Sequence, residues 1–260
     1  MKRSFATLLG LCLASTPFFA HAEMQVQVGG AVNRPGVLAL KDGARVSDAA
    51  LAADVQPQAY LLGAAWLRPS LMIAQERLKA GILFDLDQLH LRAVQRSDTA
   101  LSDTVSQLRN IISTLPVTGR APALLAPRAV EANTTANLPL LSGDRLFYPL
   151  RPDTIRVVGT VQSPCSLPLQ PLQDPPGYLA QCPSARGADH DWVYVIQPDG
   201  HVFRRGVALW NRSNPLSLAP GALIYVPLSA RIAGSVDDTL NSDMADFLAT
   251  QLLPGPGAAP

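Results

Sequence analysis

The sequence has few lysines and no long apolar run, and each of these two shortages argues against a class of protein. Among 260 residues, 21 Lys and Arg stand against 20 Asp and Glu, and the only lysines are Lys2, Lys41 and Lys79. A near-neutral chain without a basic stripe is unsuited to nucleic acid, which argues against a DNA-uptake receptor. No stretch approaches the roughly 20 apolar residues that a transmembrane helix needs. The sequence therefore predicts a protein that neither binds nucleic acid nor spans a membrane.

Common catalytic and metal-binding motifs are also missing. His90, His190 and His201 show no HExxH spacing, and neither a GxSxG motif nor a phosphate-binding loop occurs. Paired carboxylates of the glycosidase type stay open, because such pairs meet in space rather than in sequence. The sequence thus predicts no metal and no cofactor, and it favours a non-catalytic protein over an enzyme.

The first 22 residues have the pattern of a secretory signal peptide. Two basic residues precede an apolar run over 5–13, and the small-residue sequence AHA at 20–22 marks a cleavage site. Cys12 raises lipid attachment as the alternative, although Leu11 before it is not the small residue that such sites use. We expect cleavage after residue 22 and an exported mature chain.

Export leaves two cysteines, Cys165 and Cys182, in an oxidising compartment where two thiols can join. The loop between them is rich in proline, and a crosslink there would stabilise the fold by about 3 kcal/mol through loop entropy. We expect a disulfide between them. Two separate buried thiols are the alternative.

One sequence pattern occurs twice in the chain. VGGAVNRPGVLAL at 28–40 and VVGTVQSPCSLPL at 157–169 align on a glycine, a proline and alternating apolar residues, which indicates a β-hairpin in each copy. LPLLSGDRLFYPL at 138–150 and LSLAPGALIYVPL at 216–228 match as well, and each has the pattern of a closing strand. The chain therefore consists of two related modules.

The two modules, predicted at 23–152 and 153–230, differ in length. From the glycine of the opening hairpin to the matching glycine of the closing strand, the first module spans 113 residues and the second spans 62. The surplus falls at about 69–117, where two apolar patterns of helical period flank the sequence RAVQRSD. The first module is therefore expected to carry an inserted two-helix hairpin.

The end of the chain carries a third helical pattern. Its apolar residues form one stripe, Ser235 is a suitable N-cap, and Pro254 ends the helix. The stripe consists of Val236, Leu240, Met244, Phe247, Leu248 and Leu252. No Lys or Arg follows Arg231, which argues against a helix that lies on anionic membrane. Residues 231–260 are thus expected to form an amphipathic helix and tail that pack either on their own domain or on a partner protein.

These motifs together resemble a known family. The hairpin GAVNRPG, the helix-like VSDAALAA at 46–53 and the strand SGDRLFY are similar to the soluble-ligand-binding β-grasp module of polysaccharide export proteins. With VTGRAP, GAD, QPDG and VALWN at their places in the order, nearly the whole mature chain resembles the capsule biosynthesis GfcC family. The second hairpin departs from the pattern, because Cys165 replaces the usual glycine and argues against a left-handed turn there.

The resemblance implies an α+β fold with two β-grasp domains, the first with the helical hairpin and the second followed by the amphipathic helix. It also implies a periplasmic accessory or ligand-binding factor of capsule or exopolysaccharide export, similar in modular plan to the periplasmic domains of the exporter Wza. The implied partners are the polysaccharide or the envelope export machinery, and no reaction is implied. A periplasmic enzyme that trims or modifies the polymer is the alternative.

Arg120, in VTGRAP, is the first candidate ligand-binding residue. It lies where the inserted hairpin rejoins the first sheet, and junctions of substructures are where clefts form. The resemblance implies that it lines a pocket, and a guanidinium suits a carboxylate or phosphate of an acidic glycan. The alternative is that Arg120 holds the hairpin in place through an internal carboxylate.

Trp210, in VALWN, is the second candidate, because an aromatic face suits the apolar face of a sugar ring. Val207 and Leu209 beside it indicate core packing instead.

His190, in GADHDW, lies between two aspartates, a pattern that fits a metal or acid-base site. A turn before the following strand explains that pattern better, since adjacent residues of an extended chain point to opposite faces.

Overall fold

Two five-stranded sheets, one in each of two separate domains, organise the chain. The structure, a computed structural model, describes residues 23–123, 125–133 and 135–253. The expected signal peptide at 1–22, with Cys12, and the tail from 254 onward lie outside the described residues. Within the described ranges, no helix has the length and apolar character needed to cross a bilayer. The expected α+β class is confirmed, and the finer β-grasp assignment stays a prediction.

The first domain is built on a mixed sheet. Its elements are β1 (Glu23–Gly30), β2 (Gly36–Lys41), α1 (Val46–Ala53), a 3-10 turn (Leu61–Gly63), β3 (Ala65–Leu67), α2 (Pro69–Gln95), α3 (Thr99–Thr114), β4 (Arg120–Ala121), α4 (Pro127–Ala132) and β5 (Arg145–Tyr148). The strand order is β2-β1-β5-β3-β4, with β1 and β5 parallel and the other pairs antiparallel. Because burial alternates along β1, Met24, Val26 and Val28 face one core with the apolar side of α1.

The second domain repeats this sheet. Its elements are β6 (Thr154–Gly159), β7 (Cys165–Pro168), α5 (Pro175–Leu179), β8 (Trp192–Ile196), β9 (Val202–Gly206), β10 (Leu223–Val226), α6 (Ala230–Ala233) and α7 (Leu240–Ala249). The order is β7-β6-β10-β8-β9, with β6 and β10 parallel. Each sheet thus has the opening hairpin and the closing strand that the duplicated sequence pattern predicts, and the structure adds that the first strand lies beside the closing strand.

The duplicated glycine lies at a close approach of two backbones. Gly30 and Gly159 have φ angles of 88° and 103°. A Cβ on Gly30 would lie 2.0 Å from the Tyr148 carbonyl oxygen, and one on Gly159 would lie 2.3 Å from that of Val226. The residue after each glycine donates its N–H to the same carbonyl. Only glycine fits where the first strand of each sheet passes its parallel neighbour.

The inserted hairpin packs on the second domain. Helices α2 and α3 lie against each other, and their turn at 96–98 includes Ser97 with a φ of 57°. Leu86, Leu108 and Ile112 are buried in one cluster with Tyr225 of β10 and with α7. The insertion therefore connects the two sheets rather than extending the first core.

The C-terminal helix covers its apolar stripe within the chain. Leu240, Met244 and Phe247 of α7 are at most 1% exposed and belong to the cluster that contains α2, α3 and the second sheet. The expected start at Ser235 is wrong, since α7 begins at Leu240. The Asp237 carboxylate accepts the N–H and the hydroxyl of Thr239, and such a side-chain turn competes with a helix.

The expected disulfide is confirmed. Cys165 and Cys182 are bonded, with their Cα atoms 6.1 Å apart. Cys165 lies at the start of β7, and among the described residues only Asp54, Ser97 and Leu172 combine a side chain with a positive φ. The second hairpin therefore differs from the first at this position, where Gly36 has a φ of 124°.

Candidate functional site

Arg120 is presented by a tight backbone junction between the end of the hairpin and the first sheet. In β4 it pairs with Leu67 of β3, and the Arg68 N–H donates to the Gly119 carbonyl at 2.8 Å. Gly119 has a φ of 72°, and a Cβ there would lie 2.5 Å from the Arg68 carbonyl oxygen. The glycine of VTGRAP is thus required by the geometry that positions the arginine.

Gln75 of α2 fixes the same junction from the other side. This buried amide accepts the Gly119 N–H at 2.8 Å and donates to the Arg120 carbonyl at 3.0 Å. Both ends of the side chain are satisfied, which makes it a specific anchor between the long helix and β4.

The Arg120 guanidinium is buried and contacts backbone carbonyls of the second domain. The side chain is only 7% exposed. Its Nη1 donates to the carbonyls of Ala249 at 3.2 Å and Gln251 at 3.0 Å, and its Nη2 donates to that of Pro198. The carbonyls at the end of α7 have no partner inside the helix, so the cation satisfies them and complements the helix dipole.

Neighbouring side chains add to this junction. The Thr118 hydroxyl donates to the Thr250 carbonyl at 2.8 Å, and the Gln251 amide donates to the Pro116 carbonyl at 3.2 Å. Together with Arg120, they tie the segment after the hairpin to the end of α7. The structural alternative for Arg120 is therefore realised through carbonyls and not through a carboxylate.

A cavity of about 200 Å³, here called the Arg120 cavity, lies beside the guanidinium. Arg120 and Pro122 line it from the first domain, Asp199 from the turn between β8 and β9, Val202 from β9, and Asp246 from α7. The cavity was expected between the hairpin and the first sheet, and that expected location is wrong. It lies between the two domains because the hairpin folds over the second sheet.

The charges of the Arg120 cavity influence one another. Burial lowers the pKa of Arg120, and the Asp199 carboxylate partly offsets this effect. Burial also raises the pKa of Asp246, with a further contribution from Asp243. Arginine stays protonated despite such a shift, so the cavity combines one fixed positive charge with two carboxyl groups.

Two of the five guanidinium N–H donors are left over. Within the described residues, the hydrogen bonds to Pro198, Ala249 and Gln251 use three of the donors. The open donors belong to Nε and Nη2. The guanidinium is thus a structural contact that keeps two N–H donors outside these hydrogen bonds, and it also lines the cavity.

Trp210 lies on the surface and does not line the Arg120 cavity. Its side chain is 73% exposed and that of Leu209 is 90% exposed, so the expected core packing is wrong for these two residues, whereas Val207 is partly buried against the core of the second domain. The reason is that β9 ends at Gly206 and the VALWN segment continues as a loop. The indole Nε1 lies 3.2 Å from Asp191 Oδ1, which orients an exposed aromatic face.

The GADHDW segment forms a turn. Asp189 Oδ1 accepts the N–H groups of Asp191 at 2.8 Å and Trp192 at 3.0 Å, which prepares the start of β8. No group of three or more His, Cys, Asp or Glu side chains suited to a metal was found in the part of the chain that the structure describes. The turn interpretation of His190 therefore agrees with the geometry.

Sequence reasoning missed the acidic residues of the cavity. Asp199 lies in QPDG, a motif quoted for the resemblance, and Asp246 lies on α7. The turn motif was a usable signal for Asp199. The carbonyl partners of Arg120 had no signal, because any residue type supplies a backbone carbonyl.

Comparison with known proteins supports the family resemblance. Residues 22–152 match the family described as capsule biosynthesis GfcC, N-terminal, and residues 163–253 match the one described as capsule biosynthesis GfcC C-terminal. The chain is also 31% identical to the uncharacterized protein YjbG of Escherichia coli (strain K12) over 204 residues, which cover 77% of this chain and 82% of YjbG. The duplicated sheets, the helical hairpin and these matches show that the protein belongs to the capsule biosynthesis GfcC family.

Proposed function

We propose that the protein is a periplasmic, non-catalytic accessory or ligand-binding factor in capsule or exopolysaccharide export. Family membership supports a role in capsule or exopolysaccharide biosynthesis. The signal-peptide pattern at 1–22 and the Cys165–Cys182 disulfide support the periplasm, since such bonds persist in oxidising compartments. In this proposal the two β-grasp domains form a scaffold that acts with the envelope export machinery.

The open donors of Arg120 carry the ligand-binding part of the proposal. A buried cation with two unused N–H groups favours a carboxylate, phosphate or hydroxyl of a polymer. The Arg120 cavity, at about 200 Å³, is smaller than most sites for whole ligands, which suits one substituent of a longer chain.

Trp210 is proposed as a separate sugar contact. Its exposed indole has an apolar face, and Asp191 holds the ring edge. Carbohydrate rings stack on such faces through their C–H groups, so a polymer bound on the second domain would be held by one aromatic contact.

The alternative function is a periplasmic enzyme that modifies the polymer. The observation that favours it is the presence of Asp199 and Asp246 in one cavity, with the pKa of Asp246 raised by burial. A carboxyl group that keeps its proton to higher pH is what a general acid needs.

Deletion of the coding sequence in its native strain tests the proposal. A non-catalytic factor predicts less surface polymer with unchanged composition and chain length, restored in full by an Asp199→Asn/Asp246→Asn variant. An enzyme predicts polymer of altered length or substitution, and no restoration by that variant. Unchanged polymer in the deletion strain would reject both functions. Osmotic-shock fractionation of the undeleted native strain tests the periplasmic location.

A further inference from the structure

A second cleft, larger than the Arg120 cavity, lies at the far end of the helical hairpin. Its volume is about 440 Å³, within the range of roughly 300 to 1,000 Å³ that is typical of small-ligand sites. It is formed by the end of α2, the start of α3, the 186–190 loop and α6, and it shares no lining residue with the Arg120 cavity. We call it the arginine cleft.

Four guanidinium groups from three parts of the chain meet at this cleft. Arg92 and Arg96 come from the end of α2 and the turn after it, Arg186 from the loop before β8, and Arg231 from α6. The one carboxylate among the lining residues is Asp98. The cleft therefore has a clear excess of positive charge in a chain that is nearly neutral.

The excess is not neutralised locally. Asp98 is used twice, because it accepts the Leu101 N–H at 3.1 Å and pairs with Arg186 at 3.2 Å. Arg92 donates to the Ser235 carbonyl. In the described part of the chain, the salt bridges leave Arg96 and Arg231 without a carboxylate. Asp189, next to Ala188 and His190 in the chain, is not among the lining residues, and its Oδ1 accepts two backbone N–H groups.

The floor of the cleft is apolar and held in place. Leu89, Ala93 and Ala188 are buried there. The Gly187 carbonyl accepts the Ser229 N–H at 2.8 Å. A Cβ on Gly187 would lie 2.9 Å from a methyl carbon of Leu101, so this glycine allows the hairpin to approach the loop closely. The cleft thus has an apolar floor and a cationic rim, and these contacts fix its shape without a ligand.

We propose that the arginine cleft binds the carboxylate or phosphate of an acidic saccharide. Guanidinium groups donate paired N–H groups to planar carboxylates and to phosphates, and the apolar floor suits the C–H face of a sugar ring. The oxyanion follows from the charge of the cleft, and the saccharide rests on the proposed function. Because Arg96, Arg186 and Arg231 are exposed, binding weakens as salt is added.

Titration of the purified mature protein with small probes tests this proposal. The probes are glucuronate, glucose 1-phosphate, glucose and inorganic phosphate, followed by calorimetry or amide chemical shifts. We expect binding of the two acidic sugars and none of glucose. Replacing both unpaired arginines, as Arg96→Gln/Arg231→Gln, should weaken that binding about tenfold or more, because each lost charge-assisted contact is strong.

The matched control is Arg34→Gln/Arg77→Gln, which removes the same charge from exposed positions outside the cleft and should leave affinity unchanged. Equal loss in both variants, or no binding of either acidic sugar, would overturn the proposal. If inorganic phosphate binds as tightly as glucose 1-phosphate, the sugar contributes nothing to binding, and the cleft is a small-anion site and not a saccharide site. Binding to phosphatidylglycerol vesicles in place of the sugars, lost with Arg96 and Arg231, would assign the phosphate to lipid. If the cleft proposal fails in one of these ways, the deletion strain should still make less surface polymer. If the proposed function itself fails, the deletion strain makes unchanged polymer.

Discussion

Arg120 has a structural role in the fold and a proposed role in ligand recognition. Three carbonyls of the second domain take three of its donors, and two donors are left beside a cavity. A sequence identifies the arginine and its glycine but not its carbonyl partners. The Arg120 guanidinium is buried rather than solvent-exposed, so its replacement should change stability.

Replacement of Arg120 with Ala is predicted to destabilise the protein. The change leaves the carbonyls of Pro198, Ala249 and Gln251 without their donor, which should lower the free energy of unfolding by about 2 to 4 kcal/mol. Urea denaturation measures it. The control is Arg77→Ala on the exposed side of α2, expected to change stability by less than about 0.5 kcal/mol. Equal effects of the two changes would contradict the structural role.

Asp246 makes stability depend on pH. Its pKa is raised in the folded state, so the folded protein binds the proton more tightly and gains stability as pH falls through that pKa. Asp246 is exposed at the surface, so Asp246→Asn removes only the cost of partly desolvating its charge. The variant should melt above wild type at pH 7, and the difference should close below about pH 4.

Calorimetry over that pH range, with Asp103→Asn on the exposed side of α3 as the control, checks this prediction. A difference between variant and wild type that does not vary with pH would show that the Asp246 charge carries no cost.

At the scale of elements, the position of α7 and its first residue depend more on tertiary contacts than on the helical pattern of its sequence. The apolar stripe identified the helix, whereas its first residues follow a side-chain turn at Asp237 that a helical period does not reveal. In VALWN the sequence predicted burial wrongly. Its apolar residues suggested a buried segment, but Leu209 is exposed in a loop. Periodicity predicts which face of an element is apolar, but long-range contacts decide where the element ends.

Replacement of Phe247 by Ala is predicted to loosen α7. This ring is fully buried between the hairpin and the second sheet, so truncation should cost about 3 to 5 kcal/mol of unfolding free energy. Phe84→Ala is the matched control, since that ring on α2 is 62% exposed. Thermal melts of both variants give the answer, and similar melting temperatures would mean that α7 contributes little to the fold.

The disulfide is predicted to stabilise the second domain. It closes a loop with a sequence separation of 17 residues, for which loop entropy gives about 3 kcal/mol. A Cys165→Ser/Cys182→Ser variant should therefore melt well below the oxidised wild type and at the temperature of the reduced wild type. A variant as stable as the oxidised protein would contradict this.

At the scale of the whole molecule, the inserted hairpin connects the two domains, whereas the duplicated sequence pattern indicated only two separate modules. The length difference between the modules predicted the insertion and its two helices. It did not predict that the helices pack on the second sheet, because that contact depends on surfaces far apart in the chain. Because of this packing, the Arg120 cavity lies between the two domains and not between the hairpin and the first sheet, where it was expected.

We propose that the cavity at this junction serves polysaccharide export through Arg120. Surface polymer in a deletion strain that expresses Arg120→Lys, at a periplasmic protein level matched to wild type, tests it most directly. Lysine keeps the charge but loses the planar fork of donors, so the variant should remain folded and fail to restore polymer. Arg77→Lys, the control, should restore it fully. Full restoration by Arg120→Lys would contradict the account.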